Sequence, residues 1–139
     1  MNELTAERYL EQIQKIDAII INKKRDYERW VEIAEGLGGG FSVEDRVQTT
    51  RNLHRGQNAI IEYICIEDEI KELEKKRRGI IETIEKLPYY EYRVLYGEYV
   101  DGYMLKELMA QLDKSYAWVQ KKKREALKQL QAVLDRESI

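Results

Sequence analysis

A chain of 139 residues, 43% hydrophobic and 36% charged, has room for one domain or two small ones, and its charge excess favours long helices with wetted outer faces over a compact globule. A single proline argues against disorder, and a single cysteine excludes an internal disulfide or a Cys-x-x-Cys metal pair. The formal net charge of −2 gives no sign of a polyanionic partner, but the average hides an asymmetry: residues 1–87 carry 15 basic and 18 acidic side chains, whereas residues 103–139 carry 8 and 5.

The first predicted element is a helix over roughly 4–35. Tyr9, Ile13, Ile16, Ile20, Lys23, Tyr27, Trp30 and Ala34 are spaced alternately four and three apart, a heptad seam interrupted by one lysine. Thr5 with Arg8 forms no capping box, so the start is unmarked. Gly36-Leu37-Gly38-Gly39-Gly40 marks the end, because glycines continue a helix at high entropic cost. The N-terminal Met1-Asn2-Glu3-Leu4 lacks the basic-then-apolar layout of a signal peptide, and runs such as Ala18-Ile19-Ile20-Ile21 are too short to span a bilayer. The expectation is a cytoplasmic protein with no membrane partner.

A connector is expected over 41–56. Ser42-Val43-Glu44-Asp45 could cap a short turn, with Asp45 in the place of the usual Glu or Gln. His54 falls in this polar stretch and reads as a solvated loop residue. A second helix is expected over roughly 57–87, where Tyr63, Ile66, Ile70, Leu73, Arg77, Ile80, Ile84 and Leu87 repeat the seam. Each seam thus holds one basic residue, Lys23 or Arg77. Either it sets register or oligomeric state, or its stem lies along the seam while the charge reaches water; the second reading is preferred. Cys65, between Ile64 and Ile66, reads as a partly buried free thiol.

Each helix would be about 45 Å long at 1.5 Å per residue. Equal lengths about a glycine-rich connector point to an antiparallel helical hairpin, with an intermolecular coiled coil as the alternative. Ile19, Ile60, Ile64 and Ile81 lie off the seam, widen the apolar stripe and favour a homodimer or higher oligomer. The acidic run Glu67, Asp68, Glu69 and Glu72 reads as a solvated helix face.

Pro88 ends the second segment or opens the next helix. The boundary between the hairpin, 1–87, and a second domain, 88–139, is placed there. Seven of the ten tyrosines and Trp118 fall between 89 and 118, the mark of a smaller, aromatic core. A helix over 89–99 presents Tyr92, Leu95 and Tyr99 on one face, and Val100-Asp101-Gly102 makes a turn. A helix over 104–112 turns Leu105, Leu108, Met109 and Leu112 inward. Asp113-Lys114 is a tight turn in which aspartate tolerates a left-handed backbone. Ser115 is the N-cap candidate for a last helix to about 134, with Val119, Ala126, Leu130 and Val133 or Leu134 inward.

The fold class is therefore all-α: a long helical hairpin followed by a three-helix helix-turn-helix domain. The short helix, tight turn and serine-capped, lysine-rich helix have the layout of a DNA-recognition unit. Free N–H groups at the start of the last helix favour a phosphate. On a helical wheel Ala117, Gln120, Lys121 and Arg124 face outward, flanked by Tyr116. Gln120 could read adenine, and Lys121 or Arg124 guanine. Lys106, Lys114 and Lys128 suit phosphates. The candidate DNA-binding set is completed by Ser115, Trp118 and Lys122. Within 114–128 six cations stand against Glu125 alone, although a lysine run on a terminal helix is commonly no more than a solvated face.

At these residues the chain resembles region 4 of bacterial sigma factors. The matching features are Leu87-Pro88, Val94-Leu95, Tyr99 then Asp101-Gly102, Glu107-Leu108, Leu112, Ser115, Val119, Ala126-Leu127 and Leu130. The resemblance implies promoter binding in the major groove of double-stranded DNA and contact with RNA polymerase. Over most of its length the chain is also similar to phage transcriptional regulators of the ArpU/RinA type, through Arg46-Val47-Gln48-Thr49-Thr50-Arg51-Asn52 and Ile66-Glu67-Asp68-Glu69-Ile70. That similarity implies regulation of phage late genes in the host cytoplasm. Two features depart from the pattern. Met109 stands where relatives usually carry alanine, and Lys122 and Lys123 stand where relatives usually carry one apolar residue. Either lysine could lay its stem on the core and raise its charge into solvent.

The competing reading is a protein-interaction module, including one like the small subunit of a phage terminase, with Tyr116 and Trp118 as interface anchors. An enzyme is not expected, nor any cofactor. No P-loop, Gly-x-Ser-x-Gly, His-Glu-x-x-His or metal-spaced Cys/His group occurs, and no nucleophile has a base beside it.

Overall fold

The computed structural model describes residues 5–37 and 49–137, and no strand occurs among them. The elements are α1 (Ala6–Leu37), α2 (Thr49–Glu85), α3 (Tyr89–Leu95) continued by a π-helical turn (Tyr96–Val100), α4 (Leu105–Leu112) and α5 (Tyr116–Glu137). The chain is thus all-α over its described residues. None of the described helices is long and apolar enough to cross a membrane.

The contacts divide the chain into two compact units, Met1–Asp17 with Lys75–Ile139, and Ala18–Glu74. Both α1 and α2 contribute to each, and Leu87-Pro88 lies inside the first. In the first unit the start of α1 joins the C-terminal helices because its residues are apolar on more than one side. Ala6, Leu10, Ile13 and Ile16 are all buried, although Leu10 is off the heptad seam. The Thr5 hydroxyl accepts the Arg8 N–H at 3.3 Å, and the Ala6 N–H donates to Gln131 Oε1 of α5 at 2.8 Å. The start of α1 therefore has its free donors satisfied partly by a distant element. Tyr9 and Thr83 share a hydroxyl–hydroxyl bond of 3.0 Å, and Arg77 Nε donates to Asp17 Oδ1 at 2.7 Å. As the α1 number rises the α2 number falls, so the helices run antiparallel within this unit.

The same order holds in the unit Ala18–Glu74. Lys23 pairs with Glu69, and the rings of Tyr27 and Tyr63 meet edge-on with centroids 5.6 Å apart. Ile20 is buried here, while Tyr27, Trp30, Ile66, Ile70 and Leu73 are half-buried. The preferred expectation for the two basic seam residues is corrected: neither charge simply reaches water. Each meets a carboxylate on the opposite helix, Lys23 with Glu69 and Arg77 with Asp17. The reason is geometric. A cation held half-buried along a seam has lost part of its hydration, and the flanking position of the facing helix supplies an anion.

Two further expectations are corrected. The connector does not extend to residue 56; α2 begins at Thr49, and His54 lies in a helix. The heptad step carries back from Tyr63 to the buried Ala59 and the half-buried Gly56, residues too small to register as a seam. Each of the two interior glycines, Gly56 and Gly79, costs about 1 kcal/mol, which a helix of 37 residues tolerates. Cys65 is exposed rather than partly buried, since it precedes the seam residue Ile66 by about 100° of helix and turns outward. Ser42-Val43-Glu44-Asp45 lies outside the described residues.

In the first unit α5 packs against both α3 and α4. Val94, Leu108 and Val119 form a buried cluster ringed by Tyr103, Leu105, Met109, Leu112 and Trp118. The helix expected over 89–99 departs from its α-helical course at Tyr96 and continues as the π turn to Val100. The wider turn brings Gly97 against α4: a Cβ there would sit 2.5 Å from Leu108 Cδ2. Only glycine allows that approach. Gly102 then reverses the chain at φ +76°, and the Tyr103 N–H returns to the Gly97 carbonyl at 2.9 Å.

Candidate nucleic-acid interface

Two short connections set the positions of α4 and α5. At the first, the Met104 N–H donates to the Glu107 carboxylate at 3.3 Å, which secures the start of α4. At the second, Asp113 takes the left-handed conformation, φ 54° and ψ 50°, as its short polar side chain permits. The Lys114 N–H closes back on the Met109 carbonyl at 3.2 Å. Ser115 Oγ then accepts the Trp118 N–H at 3.1 Å, while its carbonyl receives the Val119 N–H at 3.0 Å. Ser115 thus caps α5 as its residue type demands. The N–H groups of Tyr116 and Ala117 remain at the positive end of the helix dipole.

α5 divides cleanly by face. Val119, Ala126, Leu130 and Val133 are buried. Tyr116, Ala117, Gln120, Lys121, Arg124 and Lys128 are exposed, as are Lys106 and Lys114 outside the helix. Among the described residues, Lys106, Lys121, Arg124 and Lys128 enter no ion pair. These four cations are thus exposed and without an ion-pair partner among the described residues.

The other half of the basic run has a different fate. The Lys122 amine sits 2.9 Å from Glu91 Oε1 and 3.4 Å from Glu125 Oε2, and the Lys123 amine 2.7 Å from Glu98 Oε1. Both reach inward, to α3 and the π turn. The expectation that either would lift its charge into solvent is corrected, because the buried Glu91 carboxylate needs a cation nearby. The Lys122 hydrogen bond pulls the Glu91 carboxyl below its ordinary value, and the same bond raises the Lys122 amine. Lys122 is therefore placed on the supporting side of α5. Trp118 is half-buried against the Val94–Leu108–Val119 cluster. Its ring meets Tyr90 edge-on, centroids 5.2 Å apart, and the Lys114 amine lies 5.3 Å from its centroid. These contacts hold Lys114 beside the N-terminus of α5.

Glu91, Glu98 and Gly97 carry no local motif that marks them in the sequence. Glu91 and Glu98 are seven residues apart, hence nearly aligned on one side of a helix, opposite the adjacent Lys122 and Lys123; that spacing was the available signal. Tyr99 is buried and its hydroxyl is pushed well above the usual tyrosine value by burial first and by Glu98 second, which makes it a neutral core residue. Comparison of the chain with protein-family models, curated proteins and solved structures returns no match.

Proposed function

We propose that the chain is a sequence-specific DNA-binding transcriptional regulator. In this reading α4, the Asp113–Ser115 turn and α5 act as a helix-turn-helix, following a helical hairpin formed by α1 and α2. The observation that carries it is the exposure of Gln120, Lys121 and Arg124 on one side of α5, without ion-pair partners among the described residues, behind a serine-capped N-terminus. Gln120, Lys121 and Arg124 would meet base edges. Lys106, Lys114 and Lys128 would meet phosphates, with Tyr116 and Ala117 at the groove wall. The sigma region 4-like residues and the likeness to ArpU/RinA-type regulators extend the reading to a phage late promoter, in the host cytoplasm, with RNA polymerase as a second contact.

The test is a fluorescence-anisotropy titration of the full chain on the DNA flanking its own gene, over a series of salt concentrations. Binding should weaken with salt by about 0.9 log units per log unit for each phosphate neutralised. Lys128→Ala should flatten that slope by about that amount, whereas Gln120→Ala should lower preference for the cognate site by about 1–3 kcal/mol at an unchanged slope. Binding insensitive to salt, or to both changes, would refute the reading.

A second reading, a protein-interaction or phage packaging module, draws support from the exposure of Tyr89, Met104 and Tyr116. Under it, Lys121→Gln with Arg124→Gln would leave function intact.

A further inference from the structure

We propose that two copies of the chain associate through one face of the unit Ala18–Glu74, with their α1 helices antiparallel about a two-fold axis. This proposal is independent of DNA binding. Between α1 and α2 that unit opens a groove of about 380 Å³, walled by Lys24, Tyr27 and Glu28 on one side and Glu67, Ile70 and Lys71 on the other. Ile21 precedes Lys24 and Glu28 by three and seven residues, and Val31 follows Glu28 by three, so the four share one side of α1. Ile60 and Ile64 precede Glu67 and Lys71 by seven and continue the same side of α2. Ile21 is 53%, Ile60 41% and Ile64 47% exposed. Three large apolar side chains exposed on the helix faces that carry the groove walls form the kind of patch that water disfavours.

The order of side chains on α1 selects the occupant. From N to C the face reads Ile21, Lys24, Glu28, Val31: apolar, cation, anion, apolar. Reversed, the pattern is its own complement. A second copy laid antiparallel, centred between Lys24 and Glu28, sets each Lys24 against the partner's Glu28 and each Ile21 against the partner's Val31. Both pairings occur twice, as an isologous interface requires. Neither Lys24 nor Glu28 enters an ion pair among the described residues, so both charges are available. A uniformly acidic or uniformly basic partner would meet one of them with like charge.

The test is sedimentation velocity of the full chain over a range of concentrations, with helix content followed by circular dichroism. Wild type should sediment as a dimer. K24E and E28K should each weaken self-association about tenfold, since each sets like charges together twice. An equimolar mixture of K24E and E28K should recover dimers, because the heterodimer restores both opposite-charge pairs; a change acting only within one chain would show no recovery. I21D should weaken association in every background. A monomer at about 100 μM, charge variants that associate as wild type does, or a mixture no tighter than its components would each overturn the proposal.

Discussion

Gly97→Ala tests the close approach that seats the π turn against α4. Two opposing effects set its magnitude. Alanine is a better helix former than glycine by about 1 kcal/mol, so in open space the change would stabilise. Here the added methyl would lie 2.5 Å from Leu108 Cδ2, short of ordinary contact at 3.4 Å or more, so the two must part by about 0.9 Å. Leu108 cannot swing aside, because it is 1% exposed and packed with Val94 and Val119. Overpacking of this kind costs about 1–3 kcal/mol. The clash wins, and a net loss of about 1 kcal/mol is expected, read as a lower urea midpoint at constant slope. The decisive comparison is a double-mutant cycle with Leu108→Ala. That variant alone should lose about 2–5 kcal/mol. In its background Gly97→Ala meets a vacancy, so its effect should reverse sign and stabilise by about 1 kcal/mol, a coupling of about 2 kcal/mol. If Gly97→Ala has the same effect in both backgrounds, the close approach of the π turn to α4 is wrong.

Ser115 and Glu91 give two further tests. Ser115→Ala should destabilise by about 1 kcal/mol in urea through loss of the cap on Trp118 N–H, whereas Ser115→Asp should keep that stability yet weaken DNA binding by setting an anion where a phosphate would lie; equal DNA affinity for Asp and Ser would contradict the interface. For Glu91 the sign follows from the direction of its shift. Its carboxyl is held below the ordinary 4.5, so its pairing with Lys122 stabilises above that value and the contribution disappears as pH falls through the lowered one. The Lys122 amine is held above 10.5, so its share is complete below that value and is lost as pH rises through the raised one. Glu91→Gln should therefore differ most from wild type between those limits, and the difference in urea stability should shrink in acid. A difference that does not change with pH would show that the pair is not ionic.

Much of the architecture was legible because it rests on local rules. Heptad spacing located the seams of α1 and α2, since large apolar side chains every three or four residues leave one face to bury. Asp113, Gly102 and Ser115 marked the turns and cap because each needs a backbone or side-chain property that few residues offer. What escaped notice depends on partners distant in sequence or on residues without bulk. Gly56 and Ala59 extend the seam of α2 by being small. Leu10 is buried although it lies off the heptad, in the part of α1 that belongs to the same compact unit as the C-terminal helices. Gly97 matters only because Leu108 happens to face it.

The basic run at 121–124 illustrates why charge counting misjudges an interface. Four consecutive cations on a helix must point in four directions, about 100° apart, so they cannot form one surface. Lys122 and Lys123 turn towards α3 and the π turn, where Glu91 and Glu98 neutralise them, and Lys121 and Arg124 are left outside. The inward pair shapes the outward pair: tying α5 to α3 by one ion pair and to the π turn by another fixes the rotation of α5, and that rotation decides which cations remain exposed. In the proposed regulator Lys122 and Lys123 would therefore govern DNA affinity without touching DNA. Replacing either with an apolar residue of similar volume would leave a carboxylate unpaired beneath α5, and the recognition face would lose its register before it lost a contact.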